Sequence, residues 1–118
     1  MNIFFIGMGY MGVERLKNII SIKKKYNLNI CGFYDPKIKT IKLKGVSLKS
    51  EKNFSKSLLD KKKVDLCFIS VPHNLSLNYS LICCKSEFNP HLVIEKPFGL
   101  NLSQAKKIIK EKKKKQQI

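Results

Sequence analysis

Apolar residues along the chain fall into short blocks separated by charged or glycine-containing stretches, and the two alternate regularly. Residues 2–6 form a nearly continuous apolar run closed by Gly7, the pattern of a strand buried on both faces. From Gly12 to about Lys25, Val13, Leu16, Ile19 and Ile20 share one face at helical spacing, with charged residues elsewhere. Residues 28–34 predict a second strand, stopped by Asp35-Pro36 because proline cannot continue a central ladder. Residues 36–50 are lysine-rich and weakly patterned, with at most a short strand at 45–48. Phe54, Leu58 and Leu59 suggest a helix ending near Lys63. Residues 64–71 give the clearest strand, apolar on both faces. Leu75, Tyr79, Ile82 and Cys83 then follow helical spacing, and residues 91–95 predict another strand. In the last helix Asn101 is placed as N-cap with Gln104 three positions on, a capping-box arrangement, and Leu102, Ala105, Ile108 and Ile109 form the apolar face. Strands alternating with helices imply an α/β doubly wound parallel sheet of Rossmann type, as one domain over residues 1–111, with 112–118 a lysine-rich frayed tail.

Composition narrows the class without changing this picture. A chain of 118 residues with 43% hydrophobic content builds one core and not two. No apolar run approaches the ~20 residues of a membrane span. The first residues lack a basic stretch and Gly7 cuts the apolar run short, so they do not read as a signal peptide, and the cytoplasm is the expected compartment. The net charge of +16 is spread evenly, +9 over residues 1–59 and +7 over 60–118. It is carried by 23 lysines and a single arginine, Arg15. Arginine is the residue suited to bidentate phosphate and base contacts, so this balance reads as a solvated lysine surface, with no specific nucleic-acid partner and no membrane surface expected. Cys31, Cys67, Cys83 and Cys84 lack zinc-type spacing and read as buried thiols; no metal site is expected.

The chemistry begins at Gly7-Met8-Gly9-Tyr10-Met11-Gly12, a GxGxxG run between the first strand and the first helix. In this context Gly7 allows the tight turn, Gly9 lets backbone approach a pyrophosphate, and Gly12 lets the helix pack close to the strand. The N–H groups and dipole of the helix start favour the anion. Asp35 ends the second strand, where an acid hydrogen-bonds the adenosine ribose; the alternative is a turn-forming Asp before Pro36. An acid there repels a 2′-phosphate and favours NAD, while Lys37 and Lys39 offset that repulsion and leave NADP open.

Two further segments resemble the Gfo/Idh/MocA family, which includes glucose–fructose oxidoreductase and inositol dehydrogenase. One is Val64-Asp65-Leu66-Cys67-Phe68-Ile69-Ser70-Val71-Pro72, similar to the family's fourth strand. The other is Val93-Ile94-Glu95-Lys96-Pro97-Phe98-Gly99, which contains the family's Glu-Lys-Pro motif. The resemblance covers about residues 1–110. It implies that Gly7, Gly9, Tyr10, Met11 and Gly12 cradle the pyrophosphate and that Asp35 holds the adenosine ribose. The resemblance also implies that Ser70, Val71 and Pro72 line the cofactor cleft. By the same resemblance Glu95 and Lys96 would lie near the nicotinamide, with Lys96 as the catalytic candidate that would contact substrate oxygen and assist proton transfer. It further implies hydride transfer to or from a sugar or polyol.

Departures from the family pattern are also present. Ser76 stands where relatives often carry a histidine, and His73 does not match that position. The helix that usually follows Asp35 is shortened or missing. The family's C-terminal domain, which supplies the substrate pocket, does not fit in 118 residues, so the chain alone is expected to bind cofactor but turn over slowly or not at all. The strand at 91–95 is expected to be an open sheet edge, inviting a second copy or a partner chain. Other readings stay open: a non-catalytic dinucleotide-sensing module, and an S-adenosylmethionine methyltransferase, against which Glu-Lys-Pro argues. The segment 95–102 also resembles glucose-6-phosphate dehydrogenase, whose first turn and spacing differ.

Overall fold

A computed structural model describes residues 1–95 and 102–116. Four parallel strands form the central sheet: β1 (Asn2–Ile6), β2 (Asn29–Tyr34), β5 (Leu66–Ile69) and β6 (His91–Ile94), in the order β2-β1-β5-β6. The order reverses direction at β1, so the carboxyl ends of β1 and β5 flank the point where a doubly wound sheet opens a ligand crevice. Helices α1 (Tyr10–Tyr26), α2 (Lys56–Lys61), α3 (His73–Cys84) and α4 (Leu102–Gln116) complete the layers.

The run at β1 is apolar throughout because both its faces are covered. Ile3 and Phe5 pack with Met8, Leu16, Ile19 and Phe33 on one side. Phe4 and Ile6 pack with Leu59, Val64, Cys67, Ile69 and Cys83 on the other. Phe5 stacks on Phe68 with ring centroids 5.2 Å apart. Helix α1 ends at Asn27, whose left-handed conformation (φ 53°) lets its N–H reach the Lys23 carbonyl. At the start of α2 the Ser55 side chain accepts from the Leu58 N–H.

Between Asp35 and α2 the sequence pattern is faint, and the structure departs from it. Residues 36–50 hold an antiparallel hairpin, β3 (Thr40–Leu43) and β4 (Val46–Lys49), in place of a single short strand. Its two-residue turn places Lys44 and Gly45 at φ 48° and 82°, the left-handed pair a tight hairpin requires. The chain then returns beside β2: Ser50 bridges Phe33 in parallel, and the Glu51 N–H donates to the Phe33 carbonyl.

Helix α4 continues to Gln116, past the 111 boundary set by the pattern. Lys112 folds back onto the end of the α3–β6 connection, donating to Asn89 Oδ1 at 2.7 Å and to the Asn89 and Pro90 carbonyls. Burial lowers the Lys112 pKa. Strand β6 ends the sheet among the described strands, with Val93 exposed and Leu92 and Ile94 half-buried. All four cysteines are thiols; Cys67, Cys83 and Cys84 are buried, and burial pushes the half-buried Cys31 up to about 11 against the pull of Lys62. Among the described residues no helix is long and apolar enough to cross a membrane, and no group of three or more His, Cys, Asp or Glu is placed to hold a metal.

Candidate functional site

The glycine run turns directly from β1 into α1. Gly7 sits at φ +89°, and its N–H donates to the Tyr34 carbonyl at 2.9 Å, so the loop is pinned to the end of β2. A Cβ on Gly7 would lie 2.4 Å from the Ser70 carbonyl oxygen, and one on Gly12 would lie 2.2 Å from the Gly7 carbonyl oxygen. Both positions are therefore closed to any side chain by neighbouring backbone. Gly9 differs: a Cβ there meets nothing within 4 Å. Its bare backbone faces open space at the helix start, where α1 has no side-chain cap and no acid in its first turn. The unsatisfied N–H groups and positive end of a 17-residue helix thus face a cleft with room for an anion.

Asp35 closes the other side. Its Oδ2 accepts from the Met8 N–H at 2.8 Å, while Oδ1 accepts from the Lys37 and Ile38 N–H groups at 2.8 and 2.9 Å. The residue is 9% exposed. Burial works to raise its pKa, but the three backbone donors, with the nearby charge of Lys39, outweigh it and hold the carboxyl below its ordinary value. Asp35 thus does two things at once. It braces the glycine loop against its own turn, and, with Oδ2 accepting one hydrogen bond among the described residues, it keeps acceptor capacity on a residue that lines the cleft.

A cleft of about 330 Å³ opens between these parts. Gly7, Gly9 and Asp35 form one wall, continued by Pro36, Lys37 and Ile38; Ser70, Val71 and Pro72 form the floor at the end of β5. Leu75 and Tyr79 of α3 supply an apolar side. Leu75 is 37% exposed although it follows the helix's apolar spacing, because it faces the cleft and not the core. Tyr79 stacks edge-on against Phe54 and lies beside Tyr34. Burial, followed by the neighbouring Tyr34, raises its hydroxyl pKa. The Ser70 hydroxyl is buried without a hydrogen-bond partner among the described residues, on a residue that lines the cleft.

Six of the sequence-derived positions therefore meet in one place: Gly7, Gly9, Asp35, Ser70, Val71 and Pro72. Gly12 acts from behind, through its packing on Gly7. Tyr10 and Met11 begin α1 with exposed side chains, leaving backbone as their contribution. Glu95 is not on the cleft wall; it pairs with Arg15 through Nε at 2.5 Å and Nη2 at 3.1 Å. Lys96 and the Asn101 cap lie outside the described residues. Leu75, Tyr79 and the residues following Asp35 escape a reading by motif, since apolar helical spacing looks the same whether it faces a core or a cleft.

The donor set fits a nucleotide cofactor. A bare glycine backbone and a free helix start suit a pyrophosphate, an ionised carboxylate with an unused lone pair suits a ribose hydroxyl, and an apolar wall suits an adenine ring.

Comparison with known proteins points the same way. The family model of the Gfo/Idh/MocA proteins, described as an oxidoreductase family with an NAD-binding Rossmann fold, matches residues 1–118. An NAD-binding oxidoreductase from Klebsiella pneumoniae superposes with a TM-score of 0.76 at 18% identity, covering 98% of this chain and 32% of that one. A UDP-N-acetylglucosamine 3-dehydrogenase from Acidithiobacillus ferrooxidans gives 0.73 at 18% identity, covering 98% and 36%. A D-galactose-1-dehydrogenase from Rhizobium etli gives 0.71 at 19%, covering 97% and 34%. The chain thus spans about a third of the length of these structures, and at such identities the likeness is one of fold. A search of curated protein sequences finds no match.

Proposed function

Because the chain belongs to the Gfo/Idh/MocA oxidoreductase family, as its NAD-binding Rossmann domain, we propose that the glycine-loop cleft holds NAD and that the domain serves hydride transfer at a sugar or polyol carbon. The observation that carries this reading is the pairing of an open Gly9 face with an Asp35 carboxylate tethered to Met8. The pyrophosphate lies on the start of α1, the adenosine ribose on the remaining Asp35 lone pair, and the adenine against Leu75 and Tyr79. When bound, the nicotinamide supplies the redox chemistry by giving or accepting a hydride. The chain's own part is to bind, orient and exclude water.

NAD is favoured over NADP because Asp35 stays ionised and repels a 2′-phosphate. Lys37 on the same wall brings a positive side chain that softens this repulsion. Sugars are the substrate class of choice because two of the similar structures are a D-galactose-1-dehydrogenase and a UDP-N-acetylglucosamine 3-dehydrogenase. By the family's motif, Lys96 is the residue that contacts substrate oxygen and moves its proton. Hydride transfer also needs a wall that presses substrate against the nicotinamide. In this reading that wall comes from a further domain, and the Rossmann domain alone binds cofactor without turnover.

Titration with NADH and NADPH, on the wild type and on Lys37→Glu, tests the assignment. NADH is expected to bind more tightly, and the substitution to widen the gap by about tenfold through added repulsion of the 2′-phosphate. Tighter binding of NADPH to the wild type would overturn the role given to Asp35.

A further inference from the structure

The only arginine in a chain with 23 lysines pairs, among the described residues, with a single carboxylate. Arg15 lies on α1, three positions after Gly12 of the glycine loop, and grips Glu95 with both Nε and Nη2, on separate carboxylate oxygens at 2.5 and 3.1 Å. Glu95 directly follows β6, and its backbone N–H donates to the Ile69 carbonyl of β5. Two-pronged guanidinium–carboxylate pairing fixes direction as well as distance, which a lysine ammonium on a flexible stem does not. An isolated exposed ion pair contributes little to stability, and lysine would serve as well for that purpose.

The topology shows what such a fixed link can do. Asp35 follows β2 and Glu95 follows β6, at opposite ends of the order β2-β1-β5-β6. Neighbouring strands stand about 4.8 Å apart, so the two carboxyl ends are separated by roughly 14 Å, the span from an adenosine ribose to the far half of a dinucleotide. With the ribose at Asp35 and the pyrophosphate on the start of α1, the nicotinamide half extends toward β5 and β6. Arg15 is therefore the link between the helix that holds the pyrophosphate and the strand end beside the nicotinamide half.

We propose that Arg15 is a positioning residue: by gripping Glu95 it locks the carboxyl end of β6 to the pyrophosphate-binding helix and so orders the site for the nicotinamide half. This rests on the dinucleotide reading.

The test compares NADH with ADP-ribose, which carries the adenosine and pyrophosphate but no nicotinamide. Binding of both is measured by calorimetry, and nicotinamide emission by fluorescence, on the wild type, Arg15→Lys, Glu95→Gln and the exchanged pair Arg15→Glu with Glu95→Arg; thermal melting is followed in parallel. Arg15→Lys and Glu95→Gln are expected to weaken NADH by about tenfold and reduce its emission change, with ADP-ribose affinity kept within about twofold. The exchanged pair recovers most of the loss. Equal weakening of both ligands, or no weakening of NADH, would overturn the positioning role. If the wild type bound neither ligand, the dinucleotide reading itself would fall and the proposal with it.

Discussion

Replacing Gly12 with alanine adds one carbon at a point where the structure leaves no room for it. The new Cβ would lie 2.2 Å from the Gly7 carbonyl oxygen and 3.0 Å from its carbon. Ordinary heavy-atom contact is about 3.5 Å, so the overlap exceeds about 1 Å, and both sides are backbone. Gly7 cannot swing aside, because its N–H is held by the Tyr34 carbonyl and its own Cβ direction is blocked by Ser70. Overpacking of a rigid site costs about 1–3 kcal/mol, and this one belongs near the upper figure. Alanine recovers about 1 kcal/mol of helix propensity, leaving a net loss of about 2 kcal/mol. With an unfolding entropy of about 2.1 cal/mol/K per residue, that lowers the melting temperature by about 8 °C. Gly9→Ala is the control. Its Cβ meets nothing within 4 Å, and the small penalty at an N-cap is offset by reduced freedom of the unfolded chain, so its melting temperature should stay within about 3 °C. Reversible melting followed by circular dichroism measures both. A Gly12→Ala protein as stable as the wild type, or a Gly9→Ala protein that falls as far, would refute the division of labour among the glycines.

Other consequences are independent of the cleft. Lys56 and then Ser86 hold the Asp60 carboxyl down to about 2, with the Glu87 N–H as a further donor. A depressed carboxylate contributes fully above its unfolded value, 3.8, and that contribution disappears as pH falls toward 2. Urea midpoints of the wild type and Asp60→Asn should therefore differ at pH 7 and converge near pH 2, whereas a constant difference would show that the charge of Asp60 is not linked to folding. In the β3–β4 turn, Lys44 at φ 48° is a poor occupant of the left-handed region. Lys44→Asn should raise stability by about 0.5 kcal/mol, seen as about 2 °C in melting; a decrease would contradict the turn geometry.

The parts of the fold that were legible in the chain are those whose signal is local. The apolar block at β1, the helical stripe of α1 and the double-faced β5 each carry their own periodicity, and GxGxxG sits where β1 becomes α1. The hairpin was faint for a physical reason: Ile41, Leu43 and Leu48 do alternate, but lysines fill the gaps and the turn is Lys44-Gly45, without the Asn or Asp that usually marks it. Asp35 was legible as a strand-end acid, yet its grip on the Met8 N–H depends on how two loops meet in space. Leu75 shares the spacing of core residues and differs only in facing the cleft, while Tyr79 packs on the core with one side and lines the cleft with another. The pairing of Arg15 with Glu95 joins residues 80 positions apart, and no local pattern encodes it.

The glycine loop as a dinucleotide site is probed directly by Gly9→Val. Gly9 has extended backbone (φ −75°, ψ −159°) that a β-branched residue adopts without strain, and its side-chain direction is open. The variant should therefore fold normally while its side chain occupies the space assigned to the pyrophosphate. NADH titrated calorimetrically into both proteins should bind the wild type and lose at least about tenfold in affinity for Gly9→Val, with melting temperatures unchanged. Equal binding by a folded Gly9→Val, or no binding by the wild type, would contradict it.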